Sequence, residues 1–268
     1  MSDDENIDEN DDQMVEPKQT KGNLEPLLNM RLPMSCIVVS SSFSGKSWLI
    51  NSFLYHLAKR GRMHDTSTIV IVFCGSSDVN DDYTSFLPKE NVRRGWSEET
   101  AARILALHKK KIDLLRRQSE RAKAPVRLPH LVFVLEDIIG IGDVNTSTSR
   151  VLRFLFTSGR HYMVSVIVSS QSATVALNPT LRLNASCILW SKLSQDHLRY
   201  VWQATQGMKW NEFMAFSREL KRYQFGMYDS SGNTGFHVLE AQEFPRGRWY
   251  LKQKEKNKGD KRKKKNKE

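Results

Sequence analysis

The stretch Ser40-Ser41-Ser42-Phe43-Ser44-Gly45-Lys46-Ser47 decides the fold. Before it, Cys36-Ile37-Val38-Val39 is a short, continuous apolar run, the mark of a strand buried on both faces. After it, Leu49, Ile50, Phe53, Leu54 and Leu57 recur at helical spacing over residues 47–60. A strand that turns through a Ser/Gly loop into a helix builds a phosphate cradle. Backbone N–H groups wrap the anion, and the helix dipole adds positive potential at the N-terminus. Residues 40–47 all belong to that cradle. Gly45 lets the backbone approach, Lys46 reaches the terminal phosphates as a point charge, and the Ser47 hydroxyl is placed for Mg²⁺.

The pattern for such a P-loop is Gly, four residues, then Gly-Lys-Ser/Thr, and here Ser40 stands at the leading position. Ser makes a sharp turn less freely than Gly. The flanking strand and helix nevertheless fit, and the additional serines supply hydroxyl donors.

A second site lies at Leu131-Val132-Phe133-Val134-Leu135, an apolar strand that ends on Glu136-Asp137. Mg²⁺ at a nucleotide needs a carboxylate at the end of the strand beside the P-loop, and a second carboxylate orients the attacking water. The usual order puts Asp first; here Glu leads. Glu136 is assigned to the Mg²⁺ shell with Ser47, and Asp137 to the water, although spacing alone allows the reverse. The strand at 163–169 runs on to Gln171, whose amide is suited to the γ-phosphate or the water, or simply ends the strand. Arg160, in Ser158-Gly159-Arg160-His161, is a candidate arginine finger reaching a neighbouring subunit's γ-phosphate, or a structural ion-pair partner. Arg182 is a second candidate. His161 reads as a packed or hydrogen-bonded histidine.

Further strands are expected at 69–74, 187–190, 223–228 and 236–239. The last two form a hairpin across Ser230-Ser231-Gly232-Asn233. Helices are expected at 149–156, 196–204 and 210–220, with a long helix or helix pair at 98–124. Continuous β-branched strands separated by helices give an α/β fold with a mainly parallel central sheet covered by helices.

The 268 residues suit one such domain with tails. Residues 1–22 read as a disordered acidic tail: eight acids and no base fall within 1–16. Residues 252–268 read as a disordered basic tail, with ten bases against three acids, and residues 23–251 as the ATPase domain. The formal net charge is +11, so the stretch between the tails carries about +12, which favours a polyanion partner. Cys36, Cys74 and Cys187 are far apart and read as reduced buried thiols. No run of about eighteen apolar residues is present, so no membrane helix is expected. Within 98–123, Ala101, Leu105, His108, Ile112 and Leu115 form one stripe, and eight Lys and Arg fill much of the rest. That helix is a DNA-contacting candidate or, as favoured here, a solvated helix that packs by its stripe. Trp190, Trp202 and Trp210 read as core.

The series now in view is Ser-Phe-Ser-Gly-Lys-Ser, paired acids ending a strand, Gly159-Arg160-His161, a strand running to Gln171, and Leu181-Arg182-Leu183-Asn184. It resembles the genome-packaging ATPases of the FtsK/HerA superfamily, carried by poxviruses, other large eukaryotic DNA viruses, virophages and Maverick/Polinton elements. The resemblance covers about residues 30–230. It implies a RecA-like P-loop NTPase core with ATP and Mg²⁺ as cofactors and a homo-oligomeric ring. It further implies ATP-driven movement of double-stranded DNA into a viral capsid through a portal or vertex protein. The setting would be host cytoplasm or nucleus, or the virion. A DNA helicase or another nucleic-acid remodelling P-loop ATPase on the same core is the alternative. A small-molecule kinase is disfavoured because no Arg-rich lid is evident, and a cut-and-package terminase because no nuclease motif is evident.

Overall fold

The computed structural model describes residues 23–59, 68–75, 82–84, 87–138, 148–205, 207–231 and 235–244. The expected tails at 1–22 and 252–268, and the Gly232-Asn233 turn, lie outside the described residues.

Among the described residues, eight strands form one sheet in the order β3-β2-β4-β5-β1-β6-β7-β8. They are β1 Ser35–Val39, β2 Thr68–Cys74, β3 Val92–Arg94, β4 His130–Glu136, β5 Val164–Ser170, β6 Cys187–Trp190, β7 Gln224–Asp229 and β8 Gly235–Glu240. The six from β3 to β6 in that order are mutually parallel, and β7 and β8 close the sheet antiparallel. The helices among the described residues include α1 Glu25–Leu28, α2 Lys46–Lys59, α3 Glu98–Ala122, α4 Arg150–Thr157, α5 Ala173–Ala176, α6 Pro179–Arg182, α7 Gln195–Thr205 and α8 Trp210–Glu219.

The continuous apolar runs follow from burial on both faces. Every residue of β1, β4, β5 and β6 is buried, and alternate side chains enter different cores. Cys36, Val38, Val132, Val134 and Ile167 meet Leu49, Ile50, Phe53 and Leu57 of α2 on one face. Ile37, Val39, Phe133, Leu135, Val166 and Val168 meet α3 to α8 on the other. Trp190 is fully buried there, with Trp202 and Trp210 packed against the same cluster. Cys36, Cys74 and Cys187 are buried free thiols.

One expectation about the sheet is corrected. The strand carrying Glu136-Asp137, β4, is not beside β1, because β5 pairs with both and lies between them. Order in a parallel sheet is set by where crossover helices return the chain, and each face of this sheet offers more than one return. The consequence favours the site. From β1 the chain leaves to α2 on one face, and from its neighbour β5 it leaves to α5 and α6 on the other. Two adjacent strands whose connections part to opposite faces open a crevice at their carboxyl ends, where α/β sheets bind ligands.

The long segment at 98–124 is a single helix. Ser97 caps it by accepting from the Thr100 backbone N–H, Glu98 and Glu99 face the positive end of its dipole, and Lys123 ends it in a left-handed conformation. Ala101, Leu105, His108 and Ile112 are buried as the stripe requires, while Leu115 is half-buried. Part of the helix's positive charge takes part in packing. Lys109 Nζ lies 4.6 Å from the Phe154 ring centroid and 4.8 Å from that of Tyr162. Arg116 stands over Tyr162 and donates to the His161 carbonyl. Among the described residues no helix is long and apolar enough to cross a membrane.

Candidate active site

The carboxyl edge of the sheet gathers the loop after β1, the end of β4 and the end of β5. Ser40 continues the β1–β5 pairing, its N–H donating to the Ser170 carbonyl at 3.1 Å. Its side chain is fully buried and engages the hydroxyls of Ser44 and Ser191. Ser40 is not among the residues with positive φ; in this loop those are Phe43 at +57° and Gly45 at +90°. The leading position therefore does not require glycine, and Ser40 replaces conformational freedom with a hydroxyl that pins the loop to the residue that follows β6. Gly45 is required on two counts. Its φ is left-handed, and a Cβ there would lie 3.0 Å from the Tyr223 ring. Phe43, at the loop's tip, is 96% exposed.

Lys46 is buried against the loop. Its Nζ donates to the carbonyls of Ser40 at 3.0 Å and Ser41 at 3.1 Å, and stands 3.8 Å from Asp137 Oδ1. Burial lowers its pKa, opposed by the charges of Asp137 and Glu136. At the next residue, the Ser47 hydroxyl donates to Glu136 Oε1. Glu136, the last residue of β4, is 0% exposed, and its other oxygen accepts from the Tyr83 hydroxyl. Burial pushes the Glu136 carboxyl up to about 7, against the pull of these two hydrogen bonds and of Lys46.

Asp137 has left-handed backbone, with φ +49°, which turns its side chain back over the crevice. Its N–H donates to the Ser169 carbonyl, fixing it to β5. Gln171 links both halves of the site. Its Oε1 accepts from Ser42 Oγ at 2.8 Å, and its Nε2 lies 3.4 Å from Asp137 Oδ2. Asp137 Oδ1 is buried with no hydrogen-bond partner, since 3.8 Å to Lys46 exceeds hydrogen-bond reach.

Oxygen groups therefore converge here: a hydroxyl, two carboxylates, and one carboxylate oxygen with unused acceptor capacity. This donor set fits Mg²⁺, a hard cation that keeps several waters and shares its shell with substrate phosphates. Among the described residues no three His, Cys, Asp or Glu side chains form a metal cage, and a phosphate-bridging ion needs none.

Residues 40–47, Glu136, Asp137 and Gln171 thus form one connected cluster. Arg160 is not part of it. It lies in the 3₁₀ turn Gly159–Tyr162 before β5, at the amino edge of the sheet. The seven residues of β5 put it roughly 20 Å from the phosphate loop. There it lines a cavity of 870 Å³ with Arg31, His161, Asn184 and Ser230. His161 is exposed, not packed; its carbonyl is what holds Arg116. Arg182 is the last residue of α6, two positions before Asn184.

Sequence reasoning missed Tyr83 and Ser191. Tyr83 lies in a polar stretch with no periodicity, and only its lone aromatic character marks it. Ser191 is simply the residue after an apolar strand.

No protein-family model matches the chain. It is 25% identical over 167 residues to the uncharacterized protein L437 of Acanthamoeba polyphaga mimivirus, covering 62% of this chain and 55% of that protein, so the match spans about half the relative's length. Among solved structures it is similar to the genome packaging NTPase B204 of Sulfolobus turreted icosahedral virus 2, in complex with ATP-gammaS. That likeness has a TM-score of 0.52 and 14% identity, over 80% of this chain and 100% of that one. It is also similar to the cytoplasmic domain of the type VII secretion ATPase EccC of Thermomonospora curvata, with TM-score 0.57 and 15% identity, over 82% of this chain and 27% of that one. The chain has the α/β fold of these P-loop ATPases, with the mostly parallel sheet and flanking helices that its sequence predicts.

Proposed function

We propose that this chain is an ATP-hydrolysing motor of the genome-packaging ATPase type, which moves double-stranded DNA into a viral capsid as a homo-oligomeric ring. One observation carries the catalytic half of this reading. The phosphate loop, the acidic pair and the polar end of β5 form an unbroken series of contacts, from Ser47 to Glu136 and from Ser42 through Gln171 to Asp137. The packaging half is supported by likeness over the whole length of a viral genome packaging NTPase, and by a viral relative in sequence.

In this mechanism the N-terminus of α2 and the loop N–H groups hold the ATP phosphates, and Lys46 adds its charge to the terminal two. Ser47, with Glu136 behind it, would hold Mg²⁺, which would neutralise charge on the phosphates. Asp137 takes a proton from the attacking water, using the carboxylate oxygen that has no hydrogen-bond partner. Gln171 keeps Asp137 in register with the loop and reports the γ-phosphate. Arg160 of a ring neighbour stabilises charge developing on that phosphate. DNA contacts are sequence-blind, made to phosphates by Lys and Arg.

The test is ATP turnover with and without duplex DNA at low salt, for wild type, Lys46→Ala and Asp137→Asn. Duplex DNA is expected to stimulate wild type. Asp137→Asn is expected to bind nucleotide but lose about 10²- to 10³-fold in turnover, and Lys46→Ala to lose both. Absence of DNA stimulation would sink the motor; stimulation accompanied by unwinding of a forked duplex would move the assignment to a helicase.

A further inference from the structure

We propose that Tyr83 is a positioning residue for the metal–nucleotide site, holding the plane of the Glu136 carboxylate so that Ser47 presents only acceptor lone pairs to a divalent cation. The inference rests on the phosphate-site reading above and extends it to a residue outside every motif.

The geometry begins at Ser47. Its hydroxyl has one proton and two lone pairs. Because the proton goes to Glu136 Oε1, the lone pairs are left for a cation at the N-terminus of α2. That arrangement lasts only while Oε1 stays where it is. The terminal torsion of a Glu side chain is broad, so one hydrogen bond does not fix the carboxylate plane. The second comes from Tyr83, whose hydroxyl donates to Oε2. With each oxygen held by its own donor, the carboxylate does not rotate. Glu136 then acts on the cation through Ser47 and water, not by swinging an oxygen into direct contact.

Tyr83 is built for this task as well as for packing. It is 0% exposed, in the core beneath α2 with Leu87 and Val92. Its ring therefore has a structural role that its hydroxyl does not share. Groups that orient a metal ligand from behind change metal affinity by about 10- to 100-fold when removed.

The experiment uses the full chain, Mn²⁺ as probe and a non-hydrolysable ATP analogue, with bound Mn²⁺ read by electron paramagnetic resonance. Tyr83→Phe keeps the ring and deletes the hydroxyl. It is expected to weaken Mn²⁺ in the ternary complex about 10- to 100-fold, while analogue affinity in EDTA stays within about twofold of wild type. In a Glu136→Gln background the same substitution is expected to add nothing, since its effect travels through that carboxylate. Wild-type Mn²⁺ affinity in Tyr83→Phe would overturn the proposal, as would an equal loss in the Glu136→Gln background, which would mean Tyr83 acts by packing. Should Tyr83→Phe fail to fold, the double variant decides. Recovery of folding identifies Glu136 as the partner left unsatisfied, and continued failure overturns the proposal. Wild type without divalent-dependent analogue binding would overturn the phosphate-site reading itself, an outcome distinct from a failure confined to Tyr83.

Discussion

At the scale of single residues, Glu136 carries the clearest consequence. Its carboxyl is raised from an ordinary value of 4.5 to about 7 by burial. A folded-state pKa above the unfolded one means that the native protein binds more protons between those values. Stability from this group is therefore fully present below about pH 4.5 and is lost as pH rises through 7. The whole effect is on the order of 3 kcal/mol. Glu136→Gln removes the titration, so the variant's stability relative to wild type should improve as pH rises from about 5 to about 8. Urea midpoints at the two pH values measure this, and parallel behaviour of the two proteins would refute it. Glu136 and Asp137 were visible in the sequence because two acids at the end of an apolar strand bring charge to the border of the core, where charge is costly without a partner. Their roles were not separable there. Their backbones and contacts do differ: Glu136 is still in β4 and accepts from Ser47 of α2, whereas Asp137 has φ +49° and lies near Gln171. Tyr83 was invisible because it reaches Glu136 across 53 positions in sequence, and no local pattern encodes such a contact.

At the scale of elements, the strands that could be read were those buried on both faces, because a continuous β-branched run belongs in a sheet covered by helices on each side. The three-residue β3 was not legible, with Arg93 and Arg94 exposed in Val92–Arg94. Nor was the insertion of β5 between β1 and β4, since pairing order leaves no trace in periodicity. The helix ends were clearer in chemistry than in pattern, and Glu98 is the best case. From the first turn of α3 its carboxylate accepts from Ser149 Oγ at 2.7 Å and from the Val151 N–H at 2.9 Å, at the start of α4, and from Trp96 Nε1 at 3.1 Å. One side chain thus serves the N-termini of two helices that pack on the same face of the sheet. Glu98→Ala should cost about 2–3 kcal/mol, because donors to a charged acceptor are lost together. Glu99→Ala, one residue along and exposed, should cost no more than about 0.5 kcal/mol. Chemical denaturation of the two variants tests the difference, and equal losses would show that only the shared dipole position matters.

At the scale of the whole molecule, the sheet has two edges with different chemistry. The carboxyl edge holds the phosphate loop and both acids; the amino edge holds Arg160 and Arg31 around the 870 Å³ cavity. Because a β-strand of seven residues spans roughly 20 Å, Arg160 does not reach the phosphates bound by its own chain. If it acts in hydrolysis, it does so from a neighbour, and a head-to-tail contact that brings one molecule's amino edge to the next one's carboxyl edge closes into a ring or extends as a filament. Complementation distinguishes this from a structural role. Arg160→Ala alone should retain nucleotide binding and lose about 10³-fold in turnover, and Lys46→Ala alone should be inactive for want of its own site. Mixed in equal amounts and reassembled, the two should regain about a quarter of wild-type turnover, since about that share of interfaces pairs an intact phosphate loop with an intact arginine. Turnover in the mixture no higher than the average of the two separate variants would rule out a finger acting between subunits, and would return Arg160 to the amino-edge cavity as a structural residue.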